Sequence, residues 1–155
     1  MFQEMRLKEQ ALSKEETEAM LSKATHGTLA ISGKDGYPYS VPVSFVYKDD
    51  KLYFHGAVAG KKYDLLTSNP QVSFSVVDLD DVQPEKFTTF YRSVIAYGTV
   101  TRLEDPEKIH RAMELTVEKY STGLMEEGRS FIQSQKGNFC AYEMDIAYMT
   151  GKRSE

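Results

Sequence analysis

Cysteine and long apolar runs are both scarce in this 155-residue chain. Its one cysteine, Cys140, cannot form an internal disulfide, which suits a protein that works in a reducing cytoplasm. No apolar run approaches the roughly 18 residues of a membrane span, and the chain does not open on a signal-peptide pattern. We therefore expect a cytoplasmic protein with no membrane segment.

Positive charge is not in excess either. The net charge of −4 argues against a protein that binds nucleic acid through a basic surface. The chain is 41% hydrophobic and 27% charged, an ordinary composition for a folded globular protein. A chain of this length is predicted to fold as one domain, residues 1–155, with a core of its own.

The familiar catalytic and metal-binding signatures are also absent. There is no Gly-x-Ser-x-Gly elbow, no His-Glu-x-x-His pair, no Cys-x-x-Cys pair and no Walker or dinucleotide-binding glycine loop. The three histidines, His26, His55 and His110, are far apart in sequence and lack the spacing of metal ligands. Cys140 lies in a strand-like run without a partner base, which favours a buried structural thiol over a nucleophile. The sequence therefore predicts no metal site.

Alternating apolar residues and short turns predict a mainly β protein. An acidic stretch, residues 78–86, is interpreted as an irregular loop, and Gly98 as a bend in an unusually long strand. The few helices are predicted over residues 13–24, 61–68 and 129–135, with a further helix that begins at Pro106. Six strands with peripheral helices favour an antiparallel barrel over a doubly wound sheet. The predicted strands cover residues 28–31, 39–47, 51–56, 71–78, 91–103 and 139–148.

The stretch from residue 53 to residue 70 has the pattern of an anion site. A strand runs through a turn of small residues into a short helix that begins with Lys61 and Lys62. Helix N-terminal amides and the helix dipole favour an anion, and the two lysines add charge. The small residues Gly56, Ala57 and Gly60 would let a phosphate approach the backbone. The pattern predicts a phosphate site, and a solvated basic turn is the alternative.

Two further features flank this stretch. In the predicted strand 39–47, one face is apolar and the other carries only Ser40, Pro42 and Ser44, so it either leaves room for a flat ligand or is the solvent face of an edge strand. His55 is predicted to point away from the core that Leu52 and Phe54 fill. Its ring could therefore act on a ligand or serve a structural role, and both interpretations stay open.

A series of short motifs runs in order along nearly the whole chain. They are Gly27–Ala30, Gly36–Val43, Tyr53–Ala57, Gly60–Leu65 and Asn69–Pro70, followed by Pro84–Thr89, Tyr91–Val94 and Thr150–Lys152. In this order they resemble the pyridoxamine 5'-phosphate oxidase-like, FMN-binding split-barrel family, and within it the branch related to nitroimidazole reductases.

The resemblance implies a six-stranded antiparallel split β-barrel that forms a homodimer and holds FMN at the subunit interface. Pro42, Val43 and Ser44 would lie against the flavin ring. Phe54, His55, Gly56 and Ala57 would run beside the ring and the ribityl chain, and Gly60, Lys61 and Lys62 would bind the phosphate. The other subunit would complete the site with Tyr91, Ser93, Met149, Gly151 and Lys152.

The resemblance also implies a function. It points to a flavoprotein, an FMN-dependent oxidoreductase that reduces a small electron-poor acceptor as nitroreductases do, with His55 as the candidate catalytic residue. The alternative is a non-enzymatic module that binds flavin or haem on the same fold. Pyridoxamine phosphate oxidases proper have further arginines for the substrate phosphate and an arginine-rich tail, whereas residues 150–155 include one arginine. Vitamin B6 is therefore not the expected substrate.

Overall fold

One antiparallel sheet of seven strands dominates the computed structural model, which describes residues 1–155. The strands are β1 (Gly27–Ile31), β2 (Tyr39–Val43), β3 (Val46–Lys48), β4 (Lys51–Gly56), β5 (Gln71–Gln83), β6 (Thr88–Arg102) and β7 (Cys140–Ser154). The helices are α1 (Lys14–Lys23), α2 (Lys61–Ser68), α3 (Pro106–Tyr120) and α4 (Met125–Ser134), with 3-10 turns at Lys8–Gln10 and Pro84–Lys86. None of the helices is long and apolar enough to cross a lipid bilayer.

The sheet curls into a split barrel that does not close. Its strand order is β2-β1-β5-β6-β7-β4-β3, so β2 and β3 are the two edges. Only Ser44 and Phe45 connect these edges, and the three Cα–Cα steps from Val43 to Val46 span at most about 11 Å. The sheet must therefore wrap round until its edges nearly meet, which confirms the predicted antiparallel split barrel.

The strand count was wrong by one. Residues 39–47 form two strands rather than one, because the chain leaves one edge of the sheet at Val43 and joins the other at Val46. An alternating pattern shows which residues face the core, but it does not show that the strand changes its neighbour. The predicted alternation itself is confirmed, since Val43 and Phe45 are buried while Pro42 and Ser44 are exposed.

The last turn of α3 holds the corner between β2 and β3. The Phe45 N–H donates to the Tyr120 hydroxyl over 2.9 Å, and Lys119 Nζ donates to the Phe45 carbonyl over 3.0 Å. The Tyr120 hydroxyl also lies 2.7 Å from the same carbonyl. These bonds satisfy backbone groups that have no strand partner at the corner. Burial lowers the pKa of Lys119 and raises the pKa of Tyr120.

The core fills the inside of the curled sheet. Its 18 buried residues come from α1, α2, the six strands other than β3 and the corner residue Phe45, and Phe54 stacks on Tyr142 with ring centroids 5.0 Å apart. Leu52 and Phe54 point inward as predicted. Cys140 is a half-buried free thiol that packs against this core, as expected of a structural cysteine.

Two strands run further than the sequence predicts. The acidic residues 78–83, interpreted as part of a loop, continue β5 because residues 79–83 pair with Thr88–Arg92 of β6. A register shift between Val77 and Leu79 accommodates the change, and Arg92 pairs with Asp78 over 2.9 Å. β7 likewise continues to Ser154 rather than ending at Tyr148, and α4 begins at Met125 rather than Arg129. In both strands, pairing with a neighbouring strand stabilises an extended backbone in a segment whose polar side chains favour a loop.

The predicted bend at Gly98 is confirmed. The register between β6 and β7 shifts between Tyr97 and Gly98. A Cβ atom at Gly98 would overlap the backbone carbonyl oxygen of Asp145, so the two strands approach too closely there for any side chain. This bulge divides β7 into a first half that also pairs with β4 and a second half that pairs with β6 alone.

Candidate functional site

The start of α2 has the features of an anion site. Gly60 occupies the N-cap with φ of +113°, a conformation that glycine adopts without strain, and no side chain caps the helix. The first-turn amides therefore have no side-chain acceptor and are available to a ligand. Lys61 is exposed at the first helical position, and its Nζ lies 5.0 Å from the centre of the Tyr39 ring on β2. The helix start thus faces the first residues of β2.

Lys62 lies over the end of β4. A Cβ atom at Gly56 would come within 2.9 Å of both Cε and Nζ of Lys62, so the lysine crosses the bare glycine backbone. Burial lowers the pKa of Lys62, because a half-buried ammonium loses part of its hydration. The space beside the Gly56 backbone, which was predicted to admit a phosphate, is therefore occupied by the Lys62 side chain. A half-buried cation without an acidic partner is well suited to receive an anion.

His55 lies beside this lysine and points away from the core, as predicted. Its ring meets Phe139 edge to face with centroids 6.4 Å apart, and it makes no hydrogen bond within the chain. Burial lowers the pKa of His55, and the charge of Lys62 lowers it further. Neighbouring atoms partly exclude water from the imidazole ring, although the residue as a whole is exposed. Both causes favour the neutral imidazole, which has one ring nitrogen as a donor and the other as an acceptor.

The remaining predicted residues of this half of the site differ in whether their side chains are exposed to a ligand. Pro42, Ser44 and Ala57 are exposed, whereas the side chains of Val43 and Phe54 are buried in the core. The two buried residues can meet a ligand only through backbone atoms. β2 is one edge of the sheet, and β4 lies next to the other edge, β3, which pairs only with Lys51–Tyr53 of β4. Because β2 and β3 join at Ser44 and Phe45, the exposed residues of β2 and the end of β4 lie on the two sides of the sheet that curl toward each other.

The second predicted group lies elsewhere in the sheet, on β6 and β7. Ser93 is paired with Lys152, and Lys152 Nζ lies 5.5 Å from the centre of the Tyr91 ring. Gly151 is buried, and its carbonyl accepts from the Leu12 N–H over 2.9 Å. Met149 packs against the core. Of this group, the side chains of Tyr91, Ser93 and Lys152 share the outward face of the sheet.

The two groups lie at opposite ends of β7. Gly56 pairs with Cys140 at the start of the strand, and Ser93 pairs with Lys152 near its end. The 12 residues between these positions correspond to roughly 40 Å of strand at ~3.3 Å per residue. No hydrogen bond, ion pair or ring contact joins the two groups within the chain. One protomer therefore brings together the residues of each group but not the two groups.

An apolar surface surrounds the second group, and the sequence did not reveal it. Val77, Ile95 and Tyr97 point outward from β5 and β6 and are 63%, 42% and 37% exposed. Phe2 covers part of this surface by stacking on Tyr97 and Tyr148, with centroids 5.2 Å away in each case. We call Val77, Ile95, Tyr97 and Tyr148 the outer face. Only the pairing register places them together, so alternation within single strands could not have shown the surface.

Three further residues near the sites were missed by sequence reasoning. Tyr39 lies under Lys61, Phe139 lies against His55, and Tyr120 holds the corner behind Ser44. Tyr120 ends α3. Its position as the last residue of the helix was a weak signal, since a polar tip at a helix end can reach a neighbouring backbone.

Comparison with known proteins agrees with this fold. A family model described as pyridoxamine 5'-phosphate oxidase matches residues 13–153. No curated protein sequence matches the chain. Among solved structures, a candidate 5-nitroimidazole antibiotic resistance protein of Bacteroides thetaiotaomicron is 23% identical, with a TM-score of 0.75, over 94% of this chain and 90% of that one.

Two other solved structures are similar over most of the chain. An FAD-binding protein of Mesorhizobium loti is 25% identical, with a TM-score of 0.66, over 94% of this chain and 97% of that one. An FAD- and heme-binding protein of Mycobacterium smegmatis is 25% identical, with a TM-score of 0.81, over 94% of this chain and 73% of that one. Since the family model spans nearly the whole barrel, from the N-cap of α1 to the end of β7, the chain belongs to the pyridoxamine 5'-phosphate oxidase family.

Proposed function

We propose that the protein is a homodimeric flavoprotein that binds FMN between its subunits and reduces a small electron-poor acceptor. The observation that carries the proposal is the start of α2, where uncapped amides, Lys61 and the half-buried Lys62 converge beside His55. This arrangement suits a phosphate attached to a group that continues along β4 toward His55. Solved structures named as FAD-binding proteins, at 25% identity, support a flavin as that group.

FMN in particular is favoured over a flavin without phosphate. Charge-assisted hydrogen bonds from lysines and helix amides discriminate strongly for a dianionic phosphate. The exposed, small side chains Pro42 and Ser44 leave space for a flat ring beside the edge of β2. The residues present therefore fit FMN at two of its parts, the phosphate and the ring.

The homodimer is supported by the separation of the two groups. They lie 12 residues apart along β7, up to roughly 40 Å at ~3.3 Å per residue, and no contact joins them within one protomer. If both groups contact one flavin, the second group must come from another copy of the chain. The outer face provides an apolar surface around Ser93 and Lys152 on which a second copy could pack.

Bound FMN would supply the redox chemistry, and the chain's own residues would bind and orient it. Lys62, a half-buried cation, would stabilise negative charge near the end of β4. A neutral His55 would donate a hydrogen bond from one ring nitrogen or pass a proton to an acceptor beside it. The acceptor class follows from the nitroimidazole-related resemblance, and its aromatic character suits the neighbouring Phe139 ring.

A non-enzymatic module that binds flavin or haem is the second candidate. One similar structure is named as an FAD- and heme-binding protein, and it covers 94% of this chain. A haem protein would need an axial ligand, and the chain has three histidines, of which His55 lies in the candidate site.

The absorbance spectrum of the purified protein tests both candidates. We expect flavin bands in the blue, FMN as the released ligand by mass spectrometry, and a dimer by light scattering. A Soret band would support the haem module. A concentration-independent monomer with FMN bound would contradict the interface site, and a colourless protein that takes up neither ligand would overturn the proposed function.

A further inference from the structure

β5 and β6 extend past the rest of the sheet as a two-stranded arm. The last pair between β6 and β7 joins Tyr91 to Ser154, so Thr88–Phe90 pair only with Asp81–Gln83 of β5. We call residues 80–90 the β5–β6 arm. An isolated two-stranded ribbon is marginally stable in water, so an arm of this kind is expected to pack against another surface.

The tip of the arm displays an aromatic ring in a strained conformation. Phe87 follows the 3-10 turn Pro84–Lys86 with φ of 51° and ψ of 40°, in the left-handed region that glycine and asparagine favour. Phe87 is also 96% exposed. Strain and exposure both disfavour phenylalanine at this position, and residues held in such conformations cluster at ligand sites.

Residues near Phe87 make contacts within the chain, whereas the Phe87 ring does not. Lys86 Nζ lies 4.8 Å from the centre of the Phe90 ring, and Arg92 braces the base of the arm through Asp78 over 2.9 Å. Phe87 makes no ring or cation contact within the chain. The arm therefore projects the Phe87 ring away from the rest of the protomer.

The direction of the arm shows where the ring would reach. Phe87 lies six residues before Ser93 on β6, which corresponds to about 20 Å of strand at ~3.3 Å per residue. If Ser93 abuts the flavin of the partner subunit, the tip extends past that flavin to the opening of its site.

We propose that Phe87 of one subunit lies at the mouth of the other subunit's flavin site and stacks on planar aromatic acceptors there. This inference rests on the proposed function, and it assigns the substrate-stacking residue and the subunit that provides it. The alternative is that Phe87 only ends the turn.

Substitutions at Phe87 separate these roles. Glycine fits the left-handed region without strain, so Phe87→Gly should melt no lower than the wild type, and any loss of acceptor binding in this variant then comes from the missing ring rather than from the turn. If the ring binds acceptors, Phe87→Gly and Phe87→Ala should weaken binding of menadione to the oxidised protein by roughly 2- to 10-fold in calorimetry. Phe87→Tyr should retain most of the binding. The control, Phe131→Ala, removes another exposed phenylalanine, on α4, and should change neither property.

Reoxidation of the photoreduced protein provides a second readout. Menadione is planar and ferricyanide is octahedral, so only menadione can stack on the ring. We expect Phe87→Ala to lower the ratio of the menadione rate to the ferricyanide rate by roughly 2- to 10-fold. An unchanged ratio together with unchanged menadione binding would overturn the inference while leaving the proposed function in place.

A mixed dimer tests which subunit provides the ring. One subunit carries Phe87→Ala, and the other carries Lys61→Ala with Lys62→Ala, so the only flavin is bound by the first subunit. If Phe87 acts across the interface, this flavin faces a wild-type ring and reacts with menadione at the wild-type rate. The Phe87→Ala rate would place the ring in the same subunit and overturn the inference. A wild-type protein that binds no flavin would overturn the proposed function as well.

Discussion

The two ends of β7 illustrate two ways in which one chain can assemble a site. At the first end, His55, Gly56, Lys61 and Lys62 lie within eight residues of sequence, and a strand, a turn and a helix bring them together. At the second end, Ser93 and Lys152 are 59 positions apart, and only the register between β6 and β7 makes them neighbours. The first end is a local structure, whereas the second depends on the whole sheet.

This difference explains why the first end could be predicted from the amino-acid sequence and the second end could not. The candidate anion site was predicted from helix N-terminal amides and lysines, which act wherever such a segment folds. The second end has no local signature. Its residues were found by resemblance to a family, and the outer face around them was not found at all.

The largest effect should come from removing the charge at the first end. Lys61→Ala with Lys62→Ala removes two charge-assisted bonds worth roughly 1.5–3 kcal/mol each, so FMN affinity should fall by about 100-fold or more. Riboflavin, which lacks the phosphate, should be affected far less. Calorimetric titration with both ligands measures the difference. Lys23→Ala with Lys48→Ala is the control, and equal losses for FMN and riboflavin would show that Lys61 and Lys62 are surface charges.

The next largest effect should come from the bulge that joins the two ends. Gly98→Ala places a Cβ atom against the Asp145 carbonyl, and overpacking of this kind costs about 1–3 kcal/mol. Denaturant unfolding should show the loss, while the exposed neighbour Thr99→Ala should stay within about 0.5 kcal/mol of the wild type. If Gly98→Ala unfolds at the wild-type midpoint, the close approach of β6 and β7 is not required.

A smaller change is expected for His55→Gln, which keeps a donor but removes the titration. The variant should still dimerise and bind FMN, while its turnover falls and loses its pH dependence. Because burial and Lys62 lower the pKa of His55, the wild-type profile should inflect below the usual value of 6.5. Loss of flavin, or an unchanged pH profile, would assign His55 a structural role.

The smallest effect concerns the coupling between two residues at the first end. Lys62→Met removes the charge that disfavours protonation of His55, so the pKa of His55 should rise. It should stay below 6.5 because burial, the larger cause, remains. A proton NMR titration of the histidine rings measures this in the flavin-free protein, with His55→Gln to assign the signal. Lys61→Met should have less effect, and an equal rise in both variants would contradict the contact through Gly56.

The fold was largely predictable where periodicity reports burial. Leu52, Phe54, Val43 and Phe45 face the core as their alternation indicates, and Gly98 marks the bend. The prediction errors occurred where the secondary structure depends on pairing between strands. Residues 78–83 are polar enough for a loop, yet their backbone groups pair with β6 and continue the strand. The break after Val43 has no composition signal, because Ser44 and Phe45 fit a strand as well as a corner.

The sequence by itself therefore determined the class of fold, the inward and outward faces of the strands over residues 39–56, and the local pattern of the candidate anion site at the start of α2. These follow from short-range physics, namely side-chain alternation, helix capping and the exposed amides of a helix start. The tertiary structure decided the seventh strand, the length of the β5–β6 arm, the outer face and the separation of the two halves of the site. Each of these depends on which strands pair and in which register, and pairing is set by contacts between residues far apart in the chain.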